Sequence, residues 1–259
     1  MRSQSISIWA FDFDGTISDL VPERDAAAID PECHSLLSRL ARDPNQVVAV
    51  ISSRRLDDLI NRINIKGIIL AGSSGLEWVI PGDHRLGPDA RAMERLESER
   101  KRLLPSLQRI ASIPGLELED KMWSAALHFR NADLNAREAA GKELGSLQMT
   151  HGVAVHYGPG VAEVQFLAEV SKEIAVKTLV RLNKSAYEAG SILYAGDDQN
   201  DAQAMKWVLS QKGIVYVVGG RIKIAHSRSA DSPADLARRI RVDYLSQVSD
   251  NYKDGQRYG

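Results

Sequence analysis

Short, almost continuously apolar runs of β-branched residues alternate with amphipathic segments in the first third of the chain. The apolar runs cover residues 6–11, 46–51 and 67–71, and leucine and isoleucine recur at helical spacing in 31–42 and 56–63. Runs without polar alternation are typical of parallel strands that helices cover on both faces. The β-α-β-α-β order therefore predicts a doubly wound, parallel α/β sheet.

The middle of the chain has a different periodicity. A long, highly charged helical pattern at 89–110 is followed by segments at 116–119, 123–130, 153–157 and 161–166, in which apolar and polar positions alternate. Such alternation predicts strands with one face on a core and one face open. We therefore predict an inserted α+β domain whose small sheet presents a polar face.

From residue 171 the first pattern resumes. It predicts further helices and strands at 172–187, 191–195, 202–209, 213–218 and 233–247. The chain thus divides into a Rossmann-like α/β core, an α+β insert and a polar, flexible tail, which we place at 1–82 with 168–248, at 83–167 and at 249–259.

Composition narrows the class of protein. Apolar residues make up 44% of the 259 residues, and 33 Lys+Arg against 34 Asp+Glu give a net charge of −1. Without an excess of positive charge we expect no nucleic-acid partner and no anionic membrane partner. Cys33 is the single cysteine, so the chain forms no internal disulfide. No apolar run approaches the roughly 20 residues that a membrane span needs. The start of the chain lacks a signal-peptide pattern. A cytoplasmic location follows as a prediction, and composition does not distinguish a monomer from an oligomer.

The strongest chemical signal is Asp12-Phe13-Asp14-Gly15-Thr16, directly after the first predicted strand. Open α/β sheets bind ligands at the carboxyl ends of their strands, so both carboxylates are expected at the binding edge. One carboxylate can attack phosphorus to form an aspartyl phosphate, and a second can protonate the leaving oxygen and later activate water. The glycine permits a sharp turn close to a phosphate. An ordinary acidic turn is the alternative interpretation.

A second acidic segment, Gly196-Asp197-Asp198-Gln199-Asn200-Asp201, follows another predicted strand. Oxygen ligands on short side chains suit Mg²⁺, which takes one or two carboxylates and keeps several waters. The alternative is a helix N-terminus enriched in acidic residues because of the helix dipole.

Two weaker signals lie elsewhere. Ser52, Ser53 and Arg54 follow the apolar run at 46–51, where a hydroxyl and backbone N–H groups can hold a phosphate. A serine that caps the next helix explains the same pattern. Lys172 begins a predicted helix, where a cation opposes the helix dipole. This placement favours a lysine that pairs with phosphate and with Asp12 over a solvated one.

In this order along the chain, the motifs resemble those of the haloacid dehalogenase-like phosphotransferases. The resemblance covers almost the whole sequence and implies that Asp12 is the nucleophile and Asp14 the acid and base. It implies Mg²⁺ as cofactor, with ligands among Asp12, Asp14, Asp197, Asp198 and Asp201. The phosphoryl group would be held by Thr16, Ser52, Ser53, Arg54 and Lys172.

Within that superfamily the sequence is similar to the trehalose-6-phosphate phosphatases. The similarity rests on Ala71-Gly72-Ser73-Ser74-Gly75-Leu76-Glu77, on Leu118-Glu119-Asp120-Lys121 and on Ala126-Leu127-His128-Phe129-Arg130, among other segments. It implies that the insert is a mobile cap that closes over a sugar. The candidate sugar contacts in this cap are Glu119, Lys121, His128, Arg130 and Glu163.

The sequence also departs from that family. Ser53 replaces a usual Gly, Ser74 a His, Asn200 a Thr and Ala202 a Glu, and Gln165 stands where a basic residue often follows the Glu. These changes spare Asp12 and leave the sugar open between trehalose 6-phosphate, mannosyl- or glucosyl-3-phosphoglycerate and sucrose phosphate.

We therefore expect a Mg²⁺-dependent phosphomonoesterase that acts on a small-molecule sugar phosphate, trehalose 6-phosphate first among them. A sugar phosphomutase, which also uses two aspartates two residues apart, is one alternative. A non-catalytic sugar-phosphate sensor is another, but a sensor has no need of a nucleophile at Asp12.

Overall fold

A computed structural model describes residues 6–21, 24–82, 84–151, 153–158, 160–167 and 170–245. Within these ranges the strands are β1 (Ile6–Phe11), β2 (Val47–Ile51), β3 (Ile69–Gly72), β4 (Glu77–Ile80), β5 (His84–Leu86), β6 (Glu117–Asp120), β7 (Ser124–His128), β8 (Ala154–Gly158), β9 (Val161–Gln165), β10 (Ser191–Gly196), β11 (Ile214–Val218) and β12 (Arg228–Ala230). The α-helices are α1 (Pro31–Leu40), α2 (Leu56–Arg62), α3 (Ala90–Ala111), α4 (Leu134–His151), α5 (Lys172–Leu182), α6 (Lys184–Ala189), α7 (Ala202–Ser210) and α8 (Pro233–Ile240).

The larger sheet has the strand order β12-β11-β10-β1-β2-β3-β4-β5 among the described residues. The strands from β12 to β3 run parallel, and β4 and β5 extend the sheet as antiparallel strands. From β1 the chain proceeds to β2 and β3 on one side, and from β10 to β11 and β12 on the other. The order therefore reverses between β1 and β10, where open α/β sheets form their binding crevice.

Helices cover both faces of this sheet. Along β1, Trp9 and Phe11 belong to the same buried apolar cluster as residues of α1, α2 and α8, whereas Ile8 and Ala10 pack with residues of α5 and α7. Successive strand residues point to opposite faces, so an almost entirely apolar strand can fill two cores at once. The predicted doubly wound α/β fold is confirmed.

The smaller sheet has the order β6-β7-β9-β8, with antiparallel neighbours. One of its faces packs on α3 and α4, and Ala125, Leu127 and Val164 are fully buried there. The opposite face carries a row of polar side chains, because Glu119 pairs with Ala126, Ala126 with Glu163, and Glu163 with His156 in register. The alternating segments thus form strands with one apolar and one polar face.

Two helices differ from their predicted extent. The helix predicted at 172–187 is divided at Asn183, whose backbone is not helical and whose Nδ2 donates to the Leu179 carbonyl oxygen, 2.9 Å away. The helix predicted at 233–247 changes to π-helical hydrogen bonding at Arg241–Leu245. Its last two positions, and the tail predicted at 249–259, lie outside the described residues.

The helix α4 had no counterpart in the sequence prediction. Its buried face is built partly from alanine, including Ala136 and Ala140, and its interior holds Gly141 and Gly145. Small residues give a weak hydrophobic periodicity, and glycine argues against a helix. The short strands β4, β5 and β12 were missed for a similar reason, since three or four residues carry little pattern.

The predicted start of the insert at residue 83 needs a correction. The strand β5 pairs with β4 at the edge of the larger sheet. The chain therefore leaves the core sheet after Leu86, not before His84. We still propose the division into core and cap, with this later boundary.

Among the described residues, no helix combines the length and the apolar character needed to cross a bilayer.

The smaller sheet offers a direct test of its core. Leu127 is fully buried between β7 and the helices, so Leu127→Ala should lower the free energy of unfolding by about 2–5 kcal/mol. Leu134, on α4, is 77% exposed, and Leu134→Ala should change the free energy of unfolding by no more than about 0.5 kcal/mol. Urea denaturation of both variants measures the difference, and equal losses would contradict this packing.

Candidate active site

Two neighbouring parallel strands deliver carboxylates to the point where the strand order reverses. Asp12 follows β1 and Asp197 follows β10, and Asp201 comes from the turn before α7. Each offers one oxygen, and the three oxygens lie within 4.8 Å of one another. All three residues are buried, so their charges need compensation nearby.

Lys172, the first residue of α5, supplies part of this compensation. Its Nζ donates to Asp12 Oδ1 at 2.6 Å and to Asp201 Oδ1 at 2.8 Å. Burial acts to lower the pKa of Lys172, but these two carboxylates outweigh it and raise the pKa well above its ordinary value. The lysine is therefore a fixed cation beside Asp12, whose Oδ2 accepts a hydrogen bond from Thr16 Oγ1 at 3.2 Å.

Asp201 holds the acidic loop in shape. Its Oδ1 also accepts from the Tyr194 hydroxyl at 2.6 Å, and its Oδ2 accepts from the backbone N–H groups of Asp197 and Asp198 at 3.2 and 3.3 Å. Both oxygens thus organise protein groups, which leaves Asp12 and Asp197 better placed to face a ligand.

Asp197 provides the test of whether this cluster fits a cation. Its Oδ2 is buried and, within the described residues, accepts no hydrogen bond of normal geometry. The guanidinium of Arg221, from the loop after β11, forms an ion pair with the same oxygen. Asp12, Asp197 and Asp201 together offer three carboxylate oxygens within 4.8 Å of one another, and hard divalent cations take such oxygen ligands. The residues present therefore fit a divalent metal.

Asp14 points elsewhere. Its carboxylate is 34% exposed and pairs with the guanidinium of Arg54, Nε to Oδ2 at 2.8 Å and Nη2 to Oδ1 at 2.7 Å. The Nη1 of Arg54 donates to Asp58 Oδ2 at 2.7 Å. Arg54 thus joins the second aspartate of the motif to helix α2.

The serines after β2 shape the adjoining turn. Ser52 Oγ accepts from the Arg54 backbone N–H at 3.1 Å, and the Ser52 carbonyl accepts from the Ser74 N–H at 2.8 Å. Ser53 lines a small cavity between the two sheets, together with Ser74, His156, Glu163, Gln165, Lys172 and Asn200.

The polar face of the smaller sheet contributes two side-chain clusters. Glu163 accepts from Lys121 Nζ at 2.9 Å and from Ser124 Oγ at 2.7 Å. Glu119 and His128 form a pair at 3.1 Å that is about one-third exposed. This pair borders a cavity of about 450 Å³, whose walls also include Asp25, Glu117, Arg130 and Asn131.

The sequence matches the trehalose-phosphatase family over residues 10–239. The chain belongs to the trehalose-phosphatase family. The family expected from the motifs is thus confirmed.

Individual relatives agree with this assignment. The chain is 33% identical over 241 residues to a trehalose-phosphate phosphatase of Mycobacterium tuberculosis H37Rv, covering 88% of this chain and 58% of that protein. It is 35% identical over 259 residues to one of Mycolicibacterium paratuberculosis, covering 95% and 63%. The chain therefore spans only about three-fifths of the length of these relatives.

Solved structures share the fold. The C-terminal domain of Candida albicans trehalose-6-phosphate phosphatase has a TM-score of 0.73 at 20% identity, covering 93% of this chain and 92% of that one. A haloacid dehalogenase-like hydrolase of Bacteroides thetaiotaomicron has a TM-score of 0.62 at 14% identity, covering 91% and 100%. At these identities the likeness concerns architecture alone.

Within this member of the trehalose-phosphatase family, the predicted site residues other than Ser52, Ser53 and Asp198 fall into three groups. Asp12, Thr16, Lys172, Asp197 and Asp201 meet at the strand ends. Asp14 and Arg54 lie together beside them, and the side chains of Asp14 and Asp198 are outside the three-carboxylate cluster. The cap candidates Glu119, Lys121, His128, Arg130 and Glu163 lie on or next to the smaller sheet. Their roles stay predictions.

Sequence reasoning missed Arg221, Tyr194 and Asp58. Arg221 follows a parallel strand, so the rule that directed attention to Asp12 and Asp197 also covers it. Tyr194 lies inside a buried strand, where a tyrosine is expected to be a packing residue, so its position in the sequence did not indicate a contact with Asp201.

The turn at Gly15 is a sharp test of this geometry. Gly15 has φ +78°, and a Cβ there would lie 2.1 Å from Asp197 Oδ2. Gly15→Ala should therefore displace Asp12 or Asp197 and reduce turnover about a hundredfold, as shifts of about 1 Å at reacting groups do.

The matched control is Gly141→Ala on α4, where a Cβ would meet nothing within 4 Å. Its turnover should equal that of the parent protein, and it should gain about 0.5–1 kcal/mol of stability. Steady-state phosphate release and thermal unfolding measure both variants. Full activity of Gly15→Ala would contradict the close approach of this turn to Asp197.

Proposed function

We propose that this protein hydrolyses trehalose 6-phosphate to trehalose and inorganic phosphate through an aspartyl-phosphate intermediate. The observation that carries the proposal is the buried Asp12 carboxylate, held by Lys172 at the reversal of strand order, in a chain of the trehalose-phosphatase family. The named activities of the mycobacterial relatives support the substrate.

The chemistry assigned to the chain has two steps. Asp12 Oδ attacks phosphorus, the bond between phosphorus and the sugar oxygen breaks, and Asp14 gives its proton to that oxygen. Asp14 then takes a proton from water, which attacks phosphorus and releases phosphate and free Asp12. Lys172 and Thr16 keep the Asp12 carboxylate oriented and place a positive charge and a hydroxyl beside the equatorial oxygens.

We propose Mg²⁺ as the divalent ion at this site. Asp12 and Asp197 would hold it, with Asp201 nearby, and Asp14 and Asp198 stay candidate ligands from the sequence. When bound, the ion supplies positive charge that neutralises phosphoryl oxygens.

The sugar is assigned to the space between the sheets. A disaccharide phosphate needs hydrogen-bonding walls, and the cavity of about 450 Å³ offers carboxylate, imidazole and guanidinium groups from Glu119, His128 and Arg130. Hydroxyl groups are recognised well by such polar walls, since analogues without them leave buried groups unpaired. Cys33 is buried and forms no disulfide, which is compatible with the cytoplasmic location that we also propose.

Phosphate release from trehalose 6-phosphate, with and without Mg²⁺, tests the reaction. The parent should be metal-dependent, and Asp12→Asn should lose turnover by about 10³-fold or more because its amide is not a nucleophile. Asp57→Asn, at an exposed side chain of α2, serves as control and should match the parent.

The alternatives predict other results. Isomerised product with a bisphosphate requirement would identify a mutase, and ligand binding without phosphate release would identify a sensor. Release from an aryl phosphate but not from trehalose 6-phosphate would retain the chemistry and reject the sugar. Sucrose phosphate and the glycosyl phosphoglycerates would then be tried.

The cap contacts carry a separate prediction. Glu119→Gln removes the charge that the cavity wall presents to sugar hydroxyls, and charged hydrogen bonds contribute about 1.5–3 kcal/mol. KM for trehalose 6-phosphate should rise about tenfold, whereas kinetics with p-nitrophenyl phosphate should stay within about twofold, because that ester lacks the sugar. Glu94→Gln, on an exposed position of α3, is the control. Equal effects on both esters would remove Glu119 from sugar recognition.

A further inference from the structure

Arg54 is a buried cation whose donors are directed at carboxylates. Its side chain is 1% exposed, although an arginine taken from water loses hydration worth several kcal/mol. Two of its nitrogens meet the two oxygens of Asp14, and a third meets Asp58. A two-pronged pair of this kind fixes the plane of the carboxylate as well as its distance.

Arg54 is itself held from several sides. Its backbone N–H donates to Ser52 Oγ and its carbonyl accepts from the Ser73 N–H at 2.6 Å. The guanidinium carbon lies 5.4 Å from the centre of the Phe13 ring, next to Asp14 in the chain. The Arg54 guanidinium therefore has one well-defined orientation, and its two hydrogen bonds to Asp14 fix the orientation of that carboxyl group as well.

The network continues away from the reacting groups. Asp58 Oδ1 accepts from Arg62 Nε at 2.8 Å, and Arg62 Nη1 donates to the carbonyl groups of Asp25 and Ala27. Asp25 lines the cavity of about 450 Å³. Arg54, Asp58 and Arg62 thus connect Asp14 by hydrogen bonds to the wall of the cavity assigned to the sugar.

We infer that Arg54 is a positioning residue that aims the Asp14 carboxyl group at the leaving-group oxygen, and that it does not hold the phosphoryl group. The inference rests on the proposed function, because only an ester cleaved at this site has such an oxygen. It differs from the sequence expectation, which counted Arg54 among phosphate ligands.

The leaving group separates these two roles. An alkyl oxygen must be protonated as its bond to phosphorus breaks, whereas p-nitrophenolate departs without a proton. If the Asp14 carboxyl group is no longer oriented toward the leaving-group oxygen, kcat/KM therefore falls far more for a sugar phosphate than for p-nitrophenyl phosphate. A lost phosphate ligand affects both esters alike and weakens inhibition by inorganic phosphate.

The experiment compares Arg54→Lys, which keeps the charge but removes the paired N–H donors of the guanidinium, with Asp58→Asn. The second variant weakens the hold on Arg54 and leaves the Asp14 side chain unchanged. Arg228→Lys, which alters an ion pair with Asp243 at the far edge of the larger sheet, is the control. Asp14→Asn removes the general acid and gives the largest change in the ratio of the two kcat/KM values that a loss of this acid can cause. For each variant, kcat/KM with both esters and the inhibition constant of inorganic phosphate are measured, together with the thermal midpoint.

We expect Arg54→Lys to lower kcat/KM for trehalose 6-phosphate at least tenfold more than for p-nitrophenyl phosphate. Asp58→Asn should shift that ratio in the same direction by about threefold, and Arg228→Lys should not shift it. The inhibition constant of phosphate should stay within twofold of the parent in every case.

Other results would overturn the inference. Equal losses with both esters, whether or not phosphate inhibition weakens, would make Arg54 a phosphate ligand or a merely structural residue. An unchanged ratio in a folded Arg54→Lys protein would do the same. If the parent cleaves another sugar phosphate but not trehalose 6-phosphate, the substrate proposal fails and the ratio is measured with that ester instead. A parent that cleaves no alkyl phosphate refutes both proposals.

Discussion

The ion pairs of Lys172 are the constraint on which the rest of the site depends. Three carboxylates are buried within 4.8 Å at one end of the larger sheet, and their mutual repulsion there opposes folding. Lys172 bridges two of them, Asp12 and Asp201, with short hydrogen bonds. Because it is also the first residue of α5, the same contact fixes where the chain re-enters the core after the smaller sheet. Removing one partner would leave uncompensated buried charge, which is costly in a folded protein.

The residues proposed for catalysis and those proposed for sugar recognition come from different parts of the sequence. Asp12, Ser52 and Asp197 each directly follow a parallel strand of the larger sheet, and rigid strands give such side chains little freedom. The residues proposed to recognise the sugar lie on or next to the polar face of a separate sheet. A hydrogen-bonded carboxylate joins the two parts, since Glu77 Oε2 accepts from Ser73 Oγ at 3.1 Å and from the indole N–H of Trp123 at 3.0 Å.

Much of this organisation could be predicted from the sequence, and the limits have physical causes. The rule that ligands bind at strand ends identified Asp12 and Asp197, and the unfavourable position of Lys172 on its helix indicated the pairing with Asp12 that is present at 2.6 Å. The partner of Asp14 could not be found in this way. Arg54 is 40 residues away in the chain, and only the lateral order of β1 and β2 brings the two together. Helix α4 escaped notice because alanine buries too little surface to mark a periodicity.

The departures from the family pattern gain meaning from where they lie. Four of the five, Ser53, Ser74, Gln165 and Asn200, are scattered along the sequence yet line one small cavity beside Lys172. Their side chains are uncharged, so the ionisable groups of that cavity are Lys172, Glu163 and His156, of which Lys172 and Glu163 form ion pairs. A His or a basic residue at these positions would add charge next to the proposed phosphoryl site, whereas serine and amide groups offer hydrogen bonds of either polarity. Four of the substitutions therefore alter the lining of one cavity beside Lys172 and spare the Asp12–Lys172 contact.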